Sequence, residues 1–573
     1  MTPWSSMAAR LGFGIFRVGG GRDPAVLAGD MANHTKMRER RLPEDVLSLL
    51  LPAPRAAHMK VSDARDLGSH LVASRDLKAG ELVCVEHAVV VATEDFDHCG
   101  WCFRKCRSKC RSCRVLGTCG SDECEIRVNR FHQGIECRLF AFFKERGVWD
   151  QLEDVRLACS ILRLLFLRHF ERLYETPSLL FPHIVNLDAL PRELQYFTIM
   201  ANRDISLLIQ YIPEDFLPPN PEQALLALAE ILHTNSYSLF REGMGLFVFC
   251  SSLNHSCAPN VSHVNQGGTQ MQVRAIRDIV EGEQLTTDYG VEEMDPCWRR
   301  IAKLYCERGW ICHCPRCLWW LQKSKRDSKV DMSIDLDVEA DLAPTDSFLE
   351  LFLSGIPCEC GFLVAPRLNP ERLCSLSDKS LLQLREAVAE DMCLAFKILF
   401  KDEAVFSFFC PKCSRTSSTA AEKMAEALDR LAPLSSLVQT QCFRAKFKLS
   451  VDFSLIPKLL ELQRFLLDEL HFHAFNSVIF ELRSIIIDYL KITITFDIPE
   501  KSLHLEFFQE TLKSQAKHLD KFFGSNFSSD RGLVYECMAN MYRSSNDMDK
   551  CSMFLEKAKR EFEGLWGTNW SNK

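Results

Sequence analysis

Cysteine spacing is the feature of this sequence that most directly suggests chemistry. Eight of the 26 cysteines fall between Cys99 and Cys137. Cysteines three positions apart can bind one zinc ion from a single turn, and structural zinc takes four nitrogen or sulfur ligands. Seven of these cysteines and one histidine make eight ligands, which predict two tetrahedral sites. The ligands are Cys99, Cys102, Cys110, Cys113, Cys119, Cys124, His132 and Cys137.

Metal binding is also the expected source of folding energy for this segment. Residues 99–137 read as too short and too polar to bury a core, so the ions would stabilise their fold. Cys106 is left over. Redox thiols are the alternative, but clustered cysteines in a chain without a secretory signal indicate metal more often than disulfides.

Two further groups of cysteines follow along the chain. Cys312, Cys314 and Cys317 supply three thiolates, one fewer than a closed structural zinc site requires. Cys358-x-Cys360 and Cys410-x2-Cys413 form two short pairs that resemble those of a zinc ribbon, although they are a long way apart at about 50 residues. Two unrelated pairs of buried thiols are the alternative.

Composition excludes several classes of protein. The 573 residues predict about four domains at ~150 residues each. A hydrophobic fraction of 47% and a charged fraction of 25% are ordinary globular values. The net charge of −7 gives no global attraction to nucleic acid. The most apolar stretch, at 157–167, contains Arg163 and is shorter than the ~18 residues of a membrane span.

Three short motifs later in the chain carry a family resemblance. Asn-His-Ser-Cys-Ala-Pro-Asn at 254–260 resembles the Asn-His-Ser-Cys-x-Pro-Asn motif of SET methyltransferases. Thr-Thr-Asp-Tyr at 286–289 follows it, and the Cys-x-Cys-x2-Cys at 312–317 matches a post-SET segment. The order of the eight upstream ligands resembles a MYND finger. Residues 58–320 thus resemble the SET-and-MYND (SMYD) family of protein-lysine methyltransferases, most closely its arthropod SmydA branch.

The resemblance implies how the metal ligands pair. In MYND fingers the first and third pairs hold one zinc ion and the second and fourth pairs hold the other. One site is then Cys99, Cys102, Cys119 and Cys124, and the other is Cys110, Cys113, His132 and Cys137. In the family a cysteine of the Asn-His-Ser-Cys loop, here Cys257, completes the post-SET site with Cys312, Cys314 and Cys317.

The resemblance also implies the reaction, which is N-methylation of a lysine with S-adenosylmethionine as cofactor. The substrate would be a histone, in chromatin regulation, or a non-histone protein. Tyr289 matches the catalytic tyrosine, and Tyr237 would line the lysine channel. The matching cofactor-binding positions are Gly68, Ser69, His70, Asn235, Asn254, His255, Tyr289 and Trp310.

The cofactor loop departs from the family pattern at one position. Active relatives read Gly-x-Gly there, because the backbone must approach the ligand closely. In this chain His70 stands in place of the second glycine, as a bulky residue commonly does in the SmydA branch. The rival interpretation is therefore a catalytically weak or inactive SET and MYND scaffold that recruits protein partners in transcriptional regulation.

The predicted finger is basic, and its charge has three interpretations. The basic residues are Arg104, Lys105, Arg107, Lys109, Arg111 and Arg114. They form a solvated surface, a site for a Pro-rich peptide as in some relatives, or a DNA contact. A DNA-binding regulator would lose affinity steeply as salt rises. Family members work in the nucleus and the cytoplasm, so the resemblance implies either compartment or both.

The secondary-structure pattern predicts that these residues are positioned by an α+β fold. Arg75-Asp76-Leu77-x-x-Gly-Glu recurs as Arg277-Asp278-Ile279-x-x-Gly-Glu, which predicts one β fold whose halves are separated by an insertion. Beyond residue 420 the chain reads as helices. A leucine stripe from Leu459 to Leu470 and a turn at 544–547 predict a helical domain of tetratricopeptide (TPR) type.

The predicted organisation is a split β-rich SET core with an inserted MYND zinc finger and a helical insert, followed by a post-SET zinc segment and a C-terminal all-helical TPR-like domain. The boundaries are 1–58 for an extension, 59–98 for the first part of the SET core, 99–137 for the finger, 138–240 for the helical insert, 241–295 for the second part of the core, 296–320 for the post-SET segment, 321–420 for a linker with a zinc ribbon, and 421–573 for the helical domain.

Overall fold

The computed structural model describes most of the chain after residue 57, in two compact units. The first unit comprises Met1–His255 and Pro259–Gly290, and the second comprises Ser256–Ala258 and Val291–Lys573. The described residues are 58–64, 68–93, 96–132, 135–173, 195–239, 243–265, 269–318, 347–360, 363–364, 366–390, 392–401, 405–410, 413, 415–416, 418–447, 451–452, 454–495 and 501–567. The predicted extension before residue 58 and residues 321–346 of the predicted linker lie outside them.

The first unit mixes short strands with a group of helices. Its strands are β1 (Met59–Ala64), β2 (Gly68–Ala73), β3 (Leu82–His87), β4 (Val90–Ala92), β5 (Ser108–Lys109), β6 (Gly117–Thr118), β7 (Ser236–Leu239), β8 (Gly243–Leu246), β9 (Asn254–His255), β10 (Val261–Asn265), β11 (Gln270–Ala275) and β12 (Thr286–Thr287). Its helices are α1 (Asp122–His132), α2 (Ile135–Glu145), α3 (Val155–Leu173), α4 (Gln195–Tyr211) and α5 (Pro221–Asn235).

Small sheets, mostly antiparallel, organise this unit. Strands β10, β11 and β3 form one three-stranded sheet, and β4, β8 and β7 form another. β1 pairs with β2 as a separate antiparallel ladder. The exception is β12, which runs parallel to β9 and pairs Thr286 with Asn254 and Thr287 with His255. Two segments that the motif analysis singled out are thus neighbours in one ladder.

The two copies of the Arg-Asp-apolar-x-x-Gly-Glu motif, here called the paired loops (75–81 and 277–283), bind each other reciprocally. Leu77 donates its N–H to the Ile279 carbonyl over 2.8 Å, and Ile279 donates back to Leu77 over 2.9 Å. Asp76 accepts the backbone N–H of Glu281 at 2.8 Å, and Asp278 accepts that of Ala79 at 2.9 Å. The repeat therefore folds as two matching halves brought together across the inserted segment.

The cysteine-rich segment has an apolar core, contrary to the expectation from its composition. Val115 and Leu116 are buried in one hydrophobic cluster with residues of α2, α3, α5 and β8. The segment looks too polar to fold because the partners of its few apolar side chains lie far away in sequence. Phe103 is fully buried, and its ring would lie 2.9 Å from a Cβ at Gly243 of β8. Burial of these apolar side chains therefore stabilises the segment independently of any metal ion.

The second unit is mainly helical, with short strands near its start. Its helices are α6 (Cys297–Arg308), α7 (Ser347–Ser354), α8 (Pro370–Leu373), α9 (Asp378–Glu390), α10 (Met392–Phe400), α11 (Ser418–Lys446), α12 (Leu455–Arg464), α13 (Ser477–Thr495), α14 (Lys501–Phe523), α15 (Ser529–Ser544) and α16 (Met548–Trp566). Its strands are β13 (Ile356–Pro357), β14 (Leu363–Val364), β15 (Pro366–Leu368), β16 (Phe406–Cys410) and β17 (Arg415–Thr416).

The predicted helical pattern of this unit is present. The leucine stripe is buried, with Leu459 and Leu466 fully inaccessible, and a turn of π-helix follows α12. Helices α15 and α16 pack as an antiparallel pair around a turn in which Asn546 has a φ of 61°. Among the described residues no helix combines the length and the apolar character that crossing a bilayer requires.

Candidate functional site

The structure gathers Cys99, Cys102, Cys119 and Cys124 into one cluster. Their sulfur atoms all lie within 4.8 Å of one another, and the Sγ atoms of Cys102 and Cys119 are 3.5 Å apart. The β5–β6 hairpin and the start of α1 position these side chains, because Cys119 follows β6 and Cys124 lies in the first turn of α1. Four soft ligands at this spacing form the donor set of a structural zinc site.

The second cluster interleaves with the first. Cys110, Cys113, His132 and Cys137 bring their ligand atoms within 4.8 Å of one another. The Nε2 atom of His132 lies 3.1 Å from the Cys113 sulfur, and the Cys110 and Cys137 sulfurs are 3.6 Å apart. The turn between β5 and β6 supplies two ligands, and helices α1 and α2 supply one each.

Glu136 orients the histidine of the second cluster, a role that the sequence analysis missed. The other ring nitrogen of His132 lies 3.1 Å from a Glu136 oxygen, and Arg163 donates to that carboxylate over 2.7 Å. Burial alone would raise the pKa of Glu136, but Arg163 and His132 together lower it. An ionised carboxylate behind a ligating imidazole fixes the ring and increases its basicity. The four-residue spacing from His132 is the signal that points to Glu136.

A third cluster lies in the second unit. Cys257, Cys312, Cys314 and Cys317 place their sulfurs within 4.8 Å of one another, with the Cys257 sulfur 3.9 Å from Cys312 and 3.5 Å from Cys317. The structure therefore brings Cys257 to the three later thiols across more than 50 residues.

Two buried arginines compensate the charge around the third cluster. Arg316 donates to the Cys257 carbonyl over 2.8 Å, and Arg300 lies 3.8 Å from the Cys317 sulfur. Both guanidinium groups bind Glu350, which is 1% exposed. Burial alone would raise the pKa of Glu350, but Arg300 and Arg316 lower it. Sequence spacing gives no indication of this network, since Glu350 lies over 30 residues from either arginine.

The fourth cluster joins the two short cysteine pairs. Cys358, Cys360, Cys410 and Cys413 also meet within 4.8 Å. The sulfurs of Cys358 and Cys413 are 3.9 Å apart, and those of Cys360 and Cys410 are 3.5 Å apart. The strands β13, β14 and β16 flank it. This geometry favours the zinc-ribbon interpretation over unrelated buried thiols.

The two tyrosines singled out by sequence bind the same loop of the first unit. The hydroxyl of Tyr289 donates to the Leu253 carbonyl over 2.7 Å, and that of Tyr237 donates to the Cys250 carbonyl over 2.8 Å. Both phenols are 5% exposed. Burial raises the pKa of Tyr237 well above its ordinary value, so its hydroxyl stays protonated. The loop at 250–253 thus presents its carbonyls to two buried O–H donors.

Glu86 holds the other side of this loop and was not found by sequence analysis. Its carboxylate accepts the backbone N–H groups of Phe249 and Cys250 over 2.9 and 2.8 Å. It is 3% exposed, and burial raises its pKa while these amides oppose the shift. The residues involved are more than 160 positions apart, so no local motif reveals the contact.

The candidate cofactor residues differ in accessibility. Asn254 and His255 lie in β9 with half-buried side chains, and the His255 ring centroid is 5.1 Å from that of Tyr289. Asn235 is fully buried, with its amide donating to the Ile231 carbonyl over 2.8 Å. Direct contact with a ligand is therefore open to Asn254 and His255 without rearrangement.

The segment that replaces Gly-x-Gly is a regular strand. Gly68 and Ser69 begin β2, and His70 pairs with Ser62 of β1 in the ladder. The His70 side chain is 5% exposed. Leu285 donates to the Leu71 carbonyl over 2.8 Å, which joins this strand to the chain before Tyr289. Trp310 is half-buried and belongs to the second unit.

Comparison with known families identifies part of the chain. The family described as "SET domain" matches residues 68–290, which contain β2 to β12, the two tyrosines and the first two cysteine clusters. This chain therefore contains a SET domain, interrupted by the cysteine-rich segment and its helices.

Comparison with individual proteins gives the closer relationship. The "N-lysine methyltransferase SMYD2" of Bos taurus is 27% identical over 288 residues, which cover 46% of this chain and 60% of that protein. The SMYD2 protein of Gallus gallus is 28% identical over 286 residues, and the SMYD2-B protein of Danio rerio is 29% identical over 263 residues. The chain is thus homologous to SMYD2-type N-lysine methyltransferases, and the match spans about three fifths of their length.

A solved structure is similar at a lower level. "Structure of Rubisco LSMT bound to AdoMet" has 12% sequence identity and a TM-score of 0.29, and covers 91% of this chain and 93% of that one.

Proposed function

We propose that this chain is a protein-lysine N-methyltransferase of the SMYD type that uses S-adenosylmethionine. One observation carries the proposal: within the SET domain, the β9–β12 ladder places His255 beside the buried Tyr289, whose hydroxyl binds the Leu253 carbonyl. The homologous SMYD2 proteins are named as N-lysine methyltransferases, which supports the same activity here.

The four clusters fit structural zinc. Each supplies four thiolate or imidazole ligands, and a fully ligated ion has no open position for catalysis. We infer that Cys99, Cys102, Cys119 and Cys124 bind the first ion, that Cys110, Cys113, His132 and Cys137 bind the second, that Cys257, Cys312, Cys314 and Cys317 bind the third, and that Cys358, Cys360, Cys410 and Cys413 bind the fourth. The interleaved first two sites support a MYND finger.

The polar groups around Tyr289 also fit S-adenosylmethionine. Asn254 and His255 are half-buried, as groups that bind an amino-acid or adenine moiety at the edge of a site must be. By family resemblance we assign cofactor contacts to them and to Tyr289, Gly68, Ser69, His70, Asn235 and Trp310. The His70 imidazole is buried within the strand, so the replacement of glycine leaves a regular β2 backbone.

The protein's own residues align the reactants and favour a neutral amine. When bound, S-adenosylmethionine supplies a sulfonium methyl group for an in-line displacement. A free lysine has a pKa of ~10.4, and a desolvated channel favours its neutral form. Tyr237 and Tyr289 line that channel with buried O–H groups fixed by backbone carbonyls. Glu86 fixes the loop that carries those carbonyls, so the phenols keep one orientation.

The finer assignments follow from the resemblance. We propose that residues 421–573 form a TPR-like helical domain, that the chain belongs nearest the SmydA branch, and that it acts in the nucleus, the cytoplasm or both. The substrate is a lysine-containing histone or non-histone protein. Three basic residues of the predicted finger, Arg104, Lys105 and Arg107, are exposed and available to a Pro-rich peptide or to DNA.

Calorimetric titration of the zinc-loaded chain with S-adenosylmethionine tests the proposal. We expect binding in the micromolar range, followed by methyl transfer to lysine in a screen of candidate proteins. Tyr289→Phe keeps the ring and removes the hydroxyl, so binding should persist while transfer falls by about 10²-fold or more. Metal analysis should give four zinc ions per chain.

Absence of binding by folded, zinc-loaded protein would contradict the enzyme proposal. The scaffold interpretation would then stand, because the metal clusters and the helical unit persist without a cofactor. Unchanged transfer by Tyr289→Phe would instead contradict only the role given to that hydroxyl.

A further inference from the structure

A groove on the C-terminal helices is bordered by lysines. It has a volume of about 720 Å³ and is lined by α14, the loop after it, α15 and α16. Lys513, Lys517 and Lys521 recur at every fourth residue of α14, and Lys557 of α16 joins them. Residues four apart share a helix face, so the ammonium groups of α14 line one edge. We refer to this site as the lysine groove.

The positive charge of the lysine groove is uncompensated. None of its four lysines forms an ion pair with a described residue, although Lys521 lies 5.8 Å from the Phe475 ring and Lys557 lies 5.2 Å from the Tyr535 ring. The lining residues include one carboxylate, Asp520, which accepts the Tyr535 hydroxyl at 2.5 Å and has Arg531 at 3.7 Å. The groove therefore attracts an anionic ligand.

The floor of the lysine groove is apolar. Ala516, Met538 and Tyr535 are buried beneath it, and the half-buried Phe554 closes one side. A simple inorganic anion gains nothing from such a floor, whereas a peptide can place apolar side chains on it and acidic ones at the edge. The complementary ligand is thus an acidic peptide with regularly placed apolar residues.

One segment of this chain has that pattern. Residues 330–342, which lie outside the described residues, read Val-Asp-Met-Ser-Ile-Asp-Leu-Asp-Val-Glu-Ala-Asp-Leu. Every second residue is apolar, five of the others are acidic, and none is basic. In an extended peptide, alternate side chains point in opposite directions, so such a sequence has one apolar and one acidic face.

The position of this segment in the chain favours binding to its own groove. It lies between residue 318 and α7, and both of these flanking positions belong to the same unit as α14–α16. Tethering a ligand by a short linker gives an effective concentration of the order of millimolar, which makes a weak contact substantially occupied. We propose that the acidic segment 330–342 binds in the lysine groove of the same molecule. This proposal does not depend on methyl transfer.

Zero-length carbodiimide cross-linking of the full, zinc-loaded chain tests the proposal directly. This reagent joins a carboxylate to an amine only where the two are in contact. Mass spectrometry of the monomer should find Lys513, Lys517 or Lys557 joined to acids at 331–341. The cross-links should weaken in about 1 M salt, where the Debye length falls to about 3 Å.

Matched charge reversals distinguish this contact from nonspecific association. Lys517→Glu should reduce the cross-links of the remaining groove lysines by about fivefold or more, because repulsion replaces attraction at the edge. Lys559→Glu is the control, since Lys559 is exposed on α16, lies 4.0 Å from Glu563 and does not line the groove. It should leave the cross-links unchanged.

Two outcomes would overturn the proposal. One is a monomer whose groove lysines cross-link elsewhere or not at all while other lysine–carboxylate contacts are captured. The other is cross-links that form only between two copies of the chain. Unchanged circular dichroism of Lys517→Glu would show that the lost cross-links do not reflect unfolding.

Discussion

The paired loops, 75–81 and 277–283, share a sequence pattern and an internal geometry but differ in what they contact. In each, an arginine binds the glutamate six residues later, and that glutamate accepts a backbone N–H, from Lys78 in the first loop and Val280 in the second. Only the second glutamate, Glu283, also binds Asn260, the last residue of the Asn-His-Ser-Cys-Ala-Pro-Asn motif.

Asn260 makes this difference. It ends the Asn-His-Ser-Cys motif, donates to Glu283 over 3.0 Å and to the Gln284 carbonyl over 2.8 Å, and accepts the Thr286 N–H at 2.8 Å. His58 occupies the equivalent position beside the first loop. Its carbonyl accepts the backbone N–H of Ser74, just as the Asn260 carbonyl accepts the backbone N–H of Ile276. Two nearly equivalent loops thus differ in their connections. Only the second loop is linked through Asn260 to β12, the strand that pairs with Asn254.

The largest expected effect is that of Asn260→Ala. It removes the side-chain bonds to Glu283, Gln284 and Thr286 from a residue that is 1% exposed. We expect a loss of about 2–4 kcal/mol in the free energy of unfolding, because buried partners remain unsatisfied. Denaturant titration measures this loss, and calorimetry should show weakened S-adenosylmethionine binding.

His58→Ala is the matched control for this change. The side chain is half-buried and acts on the first loop through charge, since it helps to lower the pKa of Glu81. Among the described residues it forms no side-chain hydrogen bond like those of Asn260. A cost of under about 0.5 kcal/mol is expected, as for most surface substitutions. Equal costs at the two positions would show that the loops are equivalent after all.

The next largest effect is expected for glycine variants, which test the similarity of the two loops rather than their difference. Gly80 and Gly282 have φ values of 83° and 82°, where an added Cβ is strained. Gly80→Ala and Gly282→Ala should each destabilise the chain by about 1–2 kcal/mol. Thermal unfolding of both variants should agree closely, and a clear inequality would mean that the loops carry different strain.

A smaller effect separates the two glutamates. Glu283→Gln weakens the contacts with Arg277 and Asn260 and should cost about 1 kcal/mol, whereas Glu81→Gln loses an exposed ion pair with Arg75 and should cost about 0.5 kcal/mol or less. The same denaturant titration compares them. If Glu81→Gln proved the more costly, Asn260 would not be the distinguishing contact.

The smallest effect is on acid stability. Burial alone would raise the pKa of Glu283, but Arg277 and Asn260 lower it, and the hydrogen bond from Arg75 lowers the pKa of Glu81. A carboxyl whose pKa is lower in the folded state stabilises it above the unfolded pKa of ~4.3 and loses this contribution as pH falls. Unfolding measured from pH 6 to pH 3 should therefore be less pH-dependent in Glu283→Gln than in the unaltered chain.

Local spacing predicted the short cysteine pairs that meet in the clusters, because two thiolates on one turn are a property of short sequence. The place of Cys257 and the pairing of the ligands into sites came instead from the family resemblance. The leucine stripe from Leu459 and the helix pair around residue 546 are local patterns of the same kind. The contacts of Glu86, Glu350 and Asn260 are not local, since each carboxylate or amide binds groups far along the chain. The buried core of the cysteine-rich segment was missed for the same reason, as Val115 and Leu116 find their partners on distant helices.

The packing of Phe103 against Gly243 limits how far this protein can be treated as a set of interchangeable modules. A buried ring from the cysteine-rich segment occupies the space that any larger side chain on β8 would need. A cysteine-rich segment transplanted from a relative must therefore bring a residue of the same size and backbone conformation at that position. Deleting the segment would uncover Gly243 on β8, so excision experiments would report on a damaged sheet as well as on the lost segment.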